Sequence, residues 1–326
     1  MRDVPITFLL DVGDEDIASW RSLCPDREPQ RLILGEHYWI ALTHARLRDA
    51  GADVRLDNRV PDEGIVVFYA GDKRKAWAAV RRNSHALLVA VRSDRQPVGF
   101  ADIEVVQNAT SAGGPRTWHV PHWPQPGLVP RDPSRGTTLR TILFPGTPEN
   151  LHPGFSSQQW RDAMDERSLE FRCSSDGRGE VRAWQDYSDV DAMLAIRPGG
   201  GEIRNKPAWK LFNAWLAGTP AILGAEWAYR ELRRHDLDYI EATDPASALL
   251  AIDRLRASPG LYAAMAAHGR ERGLAHANDA VTAAWRRLEA EVLRPEWGRH
   301  RERPVSLTVR RLRDAAARAK RLRGAR

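Results

Sequence analysis

Cysteine is nearly absent from this 326-residue chain: Cys24 and Cys173 are the only two, and they lie far apart. Two such residues cannot build a disulfide framework, and their scarcity fits a reducing compartment. No apolar run approaches the roughly 18 residues that a membrane span needs. The N-terminus offers only Ile6–Leu10 before the acids Asp11, Asp14, Glu15 and Asp16, which is a poor secretory signal. A cytoplasmic protein is therefore expected. Several catalytic signatures are also missing, among them GxxxxGK(S/T), GxSxG and HExxH. His37, His85, His119 and His122 have no cysteines beside them, and no metal site is expected.

What is present is enough for folded cores: 42% hydrophobic residues and 12 Trp. The length exceeds one typical domain of roughly 150 residues, so two are expected. The net charge of +6 is local. Residues 299–326 hold ten Arg and one Lys against Glu302 and Asp314, and the remainder of the chain sums to −3. A nucleic-acid binder would more often spread basic charge over its folded surface, so nucleic acid is not an expected partner.

Taken in order, Val4–Leu10 reads as a buried strand followed by a polar loop. Gly35-Glu36-His37 opens a helical pattern that Gly51 stops. Strands are expected at Asp53–Leu56, Gly64–Ala70, Ala86–Val91 and Asp102–Gln107, with a helix at Lys73–Arg82. Gly113–Gly136, rich in Pro, Gly and Trp, reads as an interdomain connection. The pattern then restarts with strands at Leu139–Phe144, Ser168–Cys173, Leu194–Arg197 and Ala221–Gly224, among helices at 158–167, 227–234, 245–257, 260–272 and 279–293. Strands alternating with short helices imply βαβ units and parallel sheets. The expected fold is α/β, with two Rossmann-like domains facing a cleft. Residues 1–128 form the first, 129–298 the second, and 299–326 a basic C-terminal tail.

Asn205–Gly224 reads as a short helix, a Gly-Thr-Pro turn and a buried strand. Pro207 suits a first helical turn, and Gly218 stops the helix. Ala208, Leu211, Phe212 and Trp215 share a packing side. Lys206, Lys210 and Asn213 share the opposite side, where free helix N–H groups would add to an anion site. Gly146, in Pro145-Gly146-Thr147, follows a strand where a backbone can approach a phosphate closely. Arg197 ends a strand at the expected ligand edge, ahead of Gly199-Gly200-Gly201. Glu226 and Glu231 follow another strand and suit sugar or ribose hydroxyls. His37 suits a general base. Asp189-Val-Asp191 matches a DxD pattern but precedes a strand, so it reads as a turn cap.

The run Lys210–Leu223 resembles a segment of GT-B glycosyltransferases of the retaining group-1 (GT4-like) type. Glu231, Tyr239–Leu249, Leu261–Gly273, and 101–133 around Val120-Pro-His-Trp resemble other parts of that family. The resemblance implies a nucleotide diphosphate-sugar donor on the C-terminal domain, an acceptor on the N-terminal domain, and no obligatory metal or other cofactor. Carried over by position, Gly146, Thr147, Arg197, Lys206 and Lys210 would serve the diphosphate, and Glu226 or Glu231 the sugar or ribose. Asn205 and Asn213 stand where the family has two glutamates; Asn213 can still bond a ribose hydroxyl. The implied catalytic set is His37, Lys210 and Glu226, with Glu36 and His37 on the acceptor side.

The implied activity is transfer of a sugar to a glycan, lipid-linked or other acceptor, in bacterial surface polysaccharide or glycoconjugate synthesis. A nucleotide-sugar epimerase of the same fold, or a non-catalytic nucleotide-sugar or glycan-binding protein, is the alternative. Val305, Val309, Leu312, Ala316 and Ala319 form a weak apolar line among the tail arginines. Such a segment suits peripheral contact with an anionic membrane at the inner face of the cell membrane.

Overall fold

The computed structural model describes residues 4–81, 85–175, 184–199 and 205–324, with side chains to 319. Gly200 and Gly201 of the expected glycine loop lie outside the described residues. Two compact units divide the chain: Met1–His122 with Val281–Arg326, and Trp123–Ala280.

In the first unit, β1 (Ile6–Leu9) is followed by α1 (Asp14–Arg21), then a π-helical turn at His37–Leu42 that runs into α2 (Thr43–Asp49). β2 (Val54–Asp57), β3 (Ile65–Tyr69), α3 (Lys73–Arg81), β4 (Leu87–Val91), β5 (Ile103–Val106) and β6 (Thr117–His119) complete it. The sheet order is β2-β1-β3-β4-β5-β6, all parallel. β3 and β4 are buried at every residue, as expected of continuous apolar runs in a sheet covered on both faces.

Two expectations fail here. The polar loop after β1 contains α1, whose first turn holds Asp14, Glu15 and Asp16 and whose Ile17 is buried. Acids at a helix N-terminus favour the dipole; they mark a helix start rather than a loop. The Gly113–Gly136 connection contains β6, which pairs with Glu104–Val106. A three-residue edge strand is too short to show a period.

In the second unit, β7 (Thr141–Phe144), α4 (Gln158–Glu166), β8 (Glu170–Cys173) and β9 (Ala192–Ala195) lead to α5 (Trp209–Ala217) and β10 (Ala221–Leu223). α6 (Trp227–Leu232), β11 (Ile240–Glu241), α7 (Pro245–Ala257) and α8 (Pro259–Leu274) follow. Its parallel sheet has the order β11-β10-β9-β7-β8. Buried Asp191 accepts from both Arg131 and Arg135 and from the backbone N–H groups of Arg140 and Thr141. Its carboxylate tethers the start of β7, consistent with the structural reading of the DxD pattern.

α9 (Asn278–Leu288), a π-helical turn at Glu289–Leu293, α10 (Arg294–Glu302) and α11 (Leu307–Gly324) end the chain. The division between units falls at 122/123 rather than 128/129, and residues 281–326 belong with the first unit rather than forming a domain end and a separate tail. The reason is packing. Trp285 meets Phe8 edge-on at 5.9 Å, Arg294 donates to the Val4 carbonyl at 3.2 Å, and Arg310 is buried against Asp102 at 2.7 Å.

Candidate functional site

The second sheet is wound outward from β7, with β8 on one side and β9 on the other. In such sheets the strand order reverses at this point, and the crevice at the carboxyl ends is where ligands sit. The chain leaves β7 through Pro145-Gly146 and β9 through Ile196-Arg197, so the topology itself brings Gly146 and Arg197 to one edge.

Lys210, on the first turn of α5, lies directly under the β7 turn. Its Nζ is 4.2 Å from the centre of the Phe144 ring and 5.6 Å from that of Trp209. A Cβ at Gly146 would stand 3.0 Å from the Phe144 ring and 3.4 Å from Lys210 Nζ, so glycine keeps this turn close to the ammonium. Lys210 is 2% exposed. Burial, then the positive charge of Arg197, pushes its pKa well below the usual lysine range, against the pull of Glu226 and Cys173. An anion entering here would favour the charged form.

Glu226 follows β10 and is 1% exposed. Arg197 Nε lies 3.4 Å from its Oε1, but the geometry makes no hydrogen bond. Arg197 Nε and both Glu226 carboxylate oxygens are buried with no hydrogen-bond partner among the described residues. Burial raises the Glu226 pKa, opposed by Arg197, Lys210 and Lys206. Ser174, just after β8, has a buried hydroxyl without a hydrogen-bond partner among the described residues; nothing in the sequence marked it except its place at a strand end. Buried polar atoms are normally bonded, so this cluster of unmet atoms is the candidate site.

The expected residues sort themselves around this cluster. Gly146, Arg197, Lys210 and Glu226 converge. Half-buried Lys206 is close enough for its charge to act on Lys210 and Glu226. It precedes α5, which begins at Trp209 after Pro207 and Ala208, so it does not share a helical face with Lys210. That face is not a polar surface either: Lys210 and Asn213 are as buried as Leu211 and Trp215. The Thr147 hydroxyl accepts from Asn150 Nδ2 at 2.8 Å, and Asn150 Oδ1 accepts from Arg197 at 3.2 Å; Thr147 thus helps to hold Arg197. Asn213 Oδ1 accepts from the Gln125 backbone at 2.9 Å and so anchors the segment entering this unit. Glu231 is near the far end of α6, about 7 Å along the helix from Glu226.

In the first unit the matching switch point lies between β1 and β3. A Cβ at Gly35 would meet Tyr69 Oη at 2.7 Å, which places Glu36 and His37 at the carboxyl end of β3. His37 Nδ1 accepts from the backbone N–H groups of Ile33 and Leu34 at 3.4 and 3.3 Å. That network assigns the neutral ring's proton to Nε2, which faces Glu36 Oε1 at 3.9 Å. Burial lowers the His37 pKa, so the ring is a poor proton acceptor. Sequence reasoning missed Asp72, after β3. Burial, then the charge of Glu36 and hydrogen bonding to it, push its carboxyl up to about 7. Asp72 Oδ2 is buried and unbonded, as expected where two facing carboxylates have no donor between them until one takes a proton.

No protein-family model matches the chain, and no curated protein sequence matches it. Solved structures do. HepE from Anabaena, in complex with UDP and glucose, aligns with a TM-score of 0.52 at 10% identity, over 89% of this chain and 100% of HepE. The same protein in complex with UDP-glucose gives 0.52 at 11%, over 88% and 100%. An α1,3-fucosyltransferase gives 0.52 at 9%, over 89% of this chain and 91% of its own. At such identities the likeness speaks for the fold: the chain has the two Rossmann-like units of the GT-B glycosyltransferase fold.

Proposed function

We propose that this chain is a glycosyltransferase that takes a nucleotide diphosphate-sugar at the carboxyl edge of the second-unit sheet. The observation that carries the reading is buried Lys210 and Glu226 with half-buried Arg197 beside the Gly146 turn, with polar atoms left unbonded. The diphosphate would lie against Arg197, Lys210 and Lys206. As the sugar–phosphate bond breaks, negative charge grows on the leaving diphosphate, and fixed cations in a buried site stabilise that charge more than water can. Glu226 would accept from sugar hydroxyls. HepE, bound to UDP-glucose in its own structure, supports a nucleotide-sugar as the donor class.

On the acceptor side, Glu36 is the better proton acceptor than His37, whose ring is held in the wrong tautomer. Asp72 would share the proton taken up. The acceptor class we propose is a glycan or lipid-linked sugar, in bacterial surface polysaccharide or glycoconjugate synthesis. None of the helices among the described residues is long and apolar enough to cross a membrane. α11 exposes Val309 and Leu312 among arginines, which supports peripheral contact at the inner membrane face from the cytoplasm. With three cationic side chains serving the diphosphate, turnover would not depend on added metal.

The test is a thermal-shift and turnover screen over UDP-, GDP-, ADP- and dTDP-sugars, with and without EDTA. Stabilisation by one nucleotide class and acceptor-dependent release of the nucleoside diphosphate is the expected result. Failure of every nucleotide to bind would overturn the proposal. Conversion of the donor without any acceptor would mean an epimerase, and binding without turnover a non-catalytic receptor.

A further inference from the structure

A cavity of about 470 Å³ lies within the first unit. It is lined by Leu87, Asp102 and Arg116, which stand at or just before the starts of β4, β5 and β6. It is therefore at the amino edge of the sheet, opposite the edge where this fold takes its substrates. α10, α11 and the turn between them close it.

Four arginines line it: Arg116, Arg299, Arg303 and Arg313. Its carboxylates are largely spoken for. Asp102 Oδ2 is engaged by Arg310 and the Leu88 N–H, its Oδ1 is buried without a hydrogen-bond partner among the described residues, and Glu296 pairs with Arg299. The guanidiniums of Arg116, Arg303 and Arg313 have no ion-pair partner among the described residues, and Glu302 is the third carboxylate of the lining. Arg116 is held by the carbonyls of Ala101 at 2.7 Å and Gly99 at 3.5 Å, which fix its position without cancelling its charge. Burial, then the positive charge of Arg313, lowers its pKa, against the pull of Glu104 and Asp102. The fold thus keeps like charges together at a cost that an anion would relieve. Trp118, on β6, is 42% exposed and lines the same cavity.

We propose that this cavity binds a phosphate group, forked between Arg303, Arg313 and Arg116, with the apolar or aromatic remainder of the ligand against Trp118. Guanidiniums recognise phosphate oxygens in pairs, and an exposed Trp beside them favours a ligand that is not bare phosphate. The site is independent of the donor site and of the transferase reading. The same chemistry could come from a free phosphorylated metabolite or from an anionic lipid headgroup.

The experiment uses the full chain, phenyl phosphate by calorimetry, and co-sedimentation with vesicles of phosphatidylcholine with or without phosphatidylglycerol. Arg303→Gln/Arg313→Gln should weaken binding by about tenfold or more. Trp118→Ala should weaken it less, and Arg303→Lys/Arg313→Lys should restore part of it. Arg197→Ala, in the other unit, should leave it unchanged. Binding of phenyl phosphate identifies a free ligand; binding only of phosphatidylglycerol vesicles identifies a lipid. The proposal is overturned if neither probe binds. It is also overturned if the Gln pair binds as the wild type does, or if Arg197→Ala abolishes binding.

Discussion

Arg197 Nε and Glu226 Oε1 lie 3.4 Å apart in a buried site and form no hydrogen bond. A charge pair buried for stability normally satisfies its geometry, because desolvation otherwise exceeds the attraction. Here the pair is close enough to fix each other's position and loose enough to leave atoms for a third party. That combination is what a ligand site needs and a structural ion pair does not.

If the third party is a diphosphate, Arg197→Ala and Lys210→Ala should each lower affinity for the preferred nucleoside diphosphate by about 10- to 100-fold, as lost charge-assisted bonds do. Calorimetric titration checks this. Unchanged affinity in both variants would remove these residues from the site. Glu226→Gln should keep nucleotide binding and reduce turnover.

The Arg310–Asp102 pair behaves oppositely. Arg310 is 2% exposed, bonds the Phe100 carbonyl at 2.8 Å and reaches Asp102 at 2.7 Å. Arg310→Ala strands a buried carboxylate and should destabilise the first unit by about 3–5 kcal/mol. Arg310→Met/Asp102→Leu should recover much of that. Urea unfolding measures both.

Asp72 gives a pH signature. Its folded pKa of about 7 lies above the ordinary 3.8, so its stabilising contribution is complete below about pH 4 and is lost as pH rises through 7. Asp72→Asn does not ionise. Its melting temperature should therefore gain on the wild type between pH 4 and 7 and hold a constant lead above pH 8. A pH-independent difference would mean that the folded structure does not hold Asp72 protonated.

Gly218 ends α5 with φ of +70°, and a Cβ there would stand 2.6 Å from Arg270 Nε. Gly218→Ala should cost about 1 kcal/mol for the left-handed backbone alone, with more from displacing Arg270. A fall in melting temperature with nucleotide binding retained is the expected outcome.

The sequence by itself determined the two parallel α/β halves, because short apolar runs such as Ile65–Tyr69, alternating with helical segments, read as strands covered on both faces. It also determined the α5–Gly218–β10 unit, where a glycine stop and a proline restart are local chemistry, and the placing of Gly146 and Arg197 at strand ends. Tertiary structure decided the rest. Lys210 looked like one member of a polar side opposite the packing side of its helix, but neighbouring elements bury that side of α5 too, so its ammonium lies under the Phe144 ring. Asn213 looked like a ligand residue; its Oδ1 accepts from the Gln125 backbone N–H, while its Nδ2 stays buried without a hydrogen-bond partner among the described residues. Arg310 looked like one more charge in a basic tail; only the fold, by bringing Asp102 to within 2.7 Å across 208 residues, made it part of a core. The partners of a charge are set by long-range packing, which no local pattern of residues records.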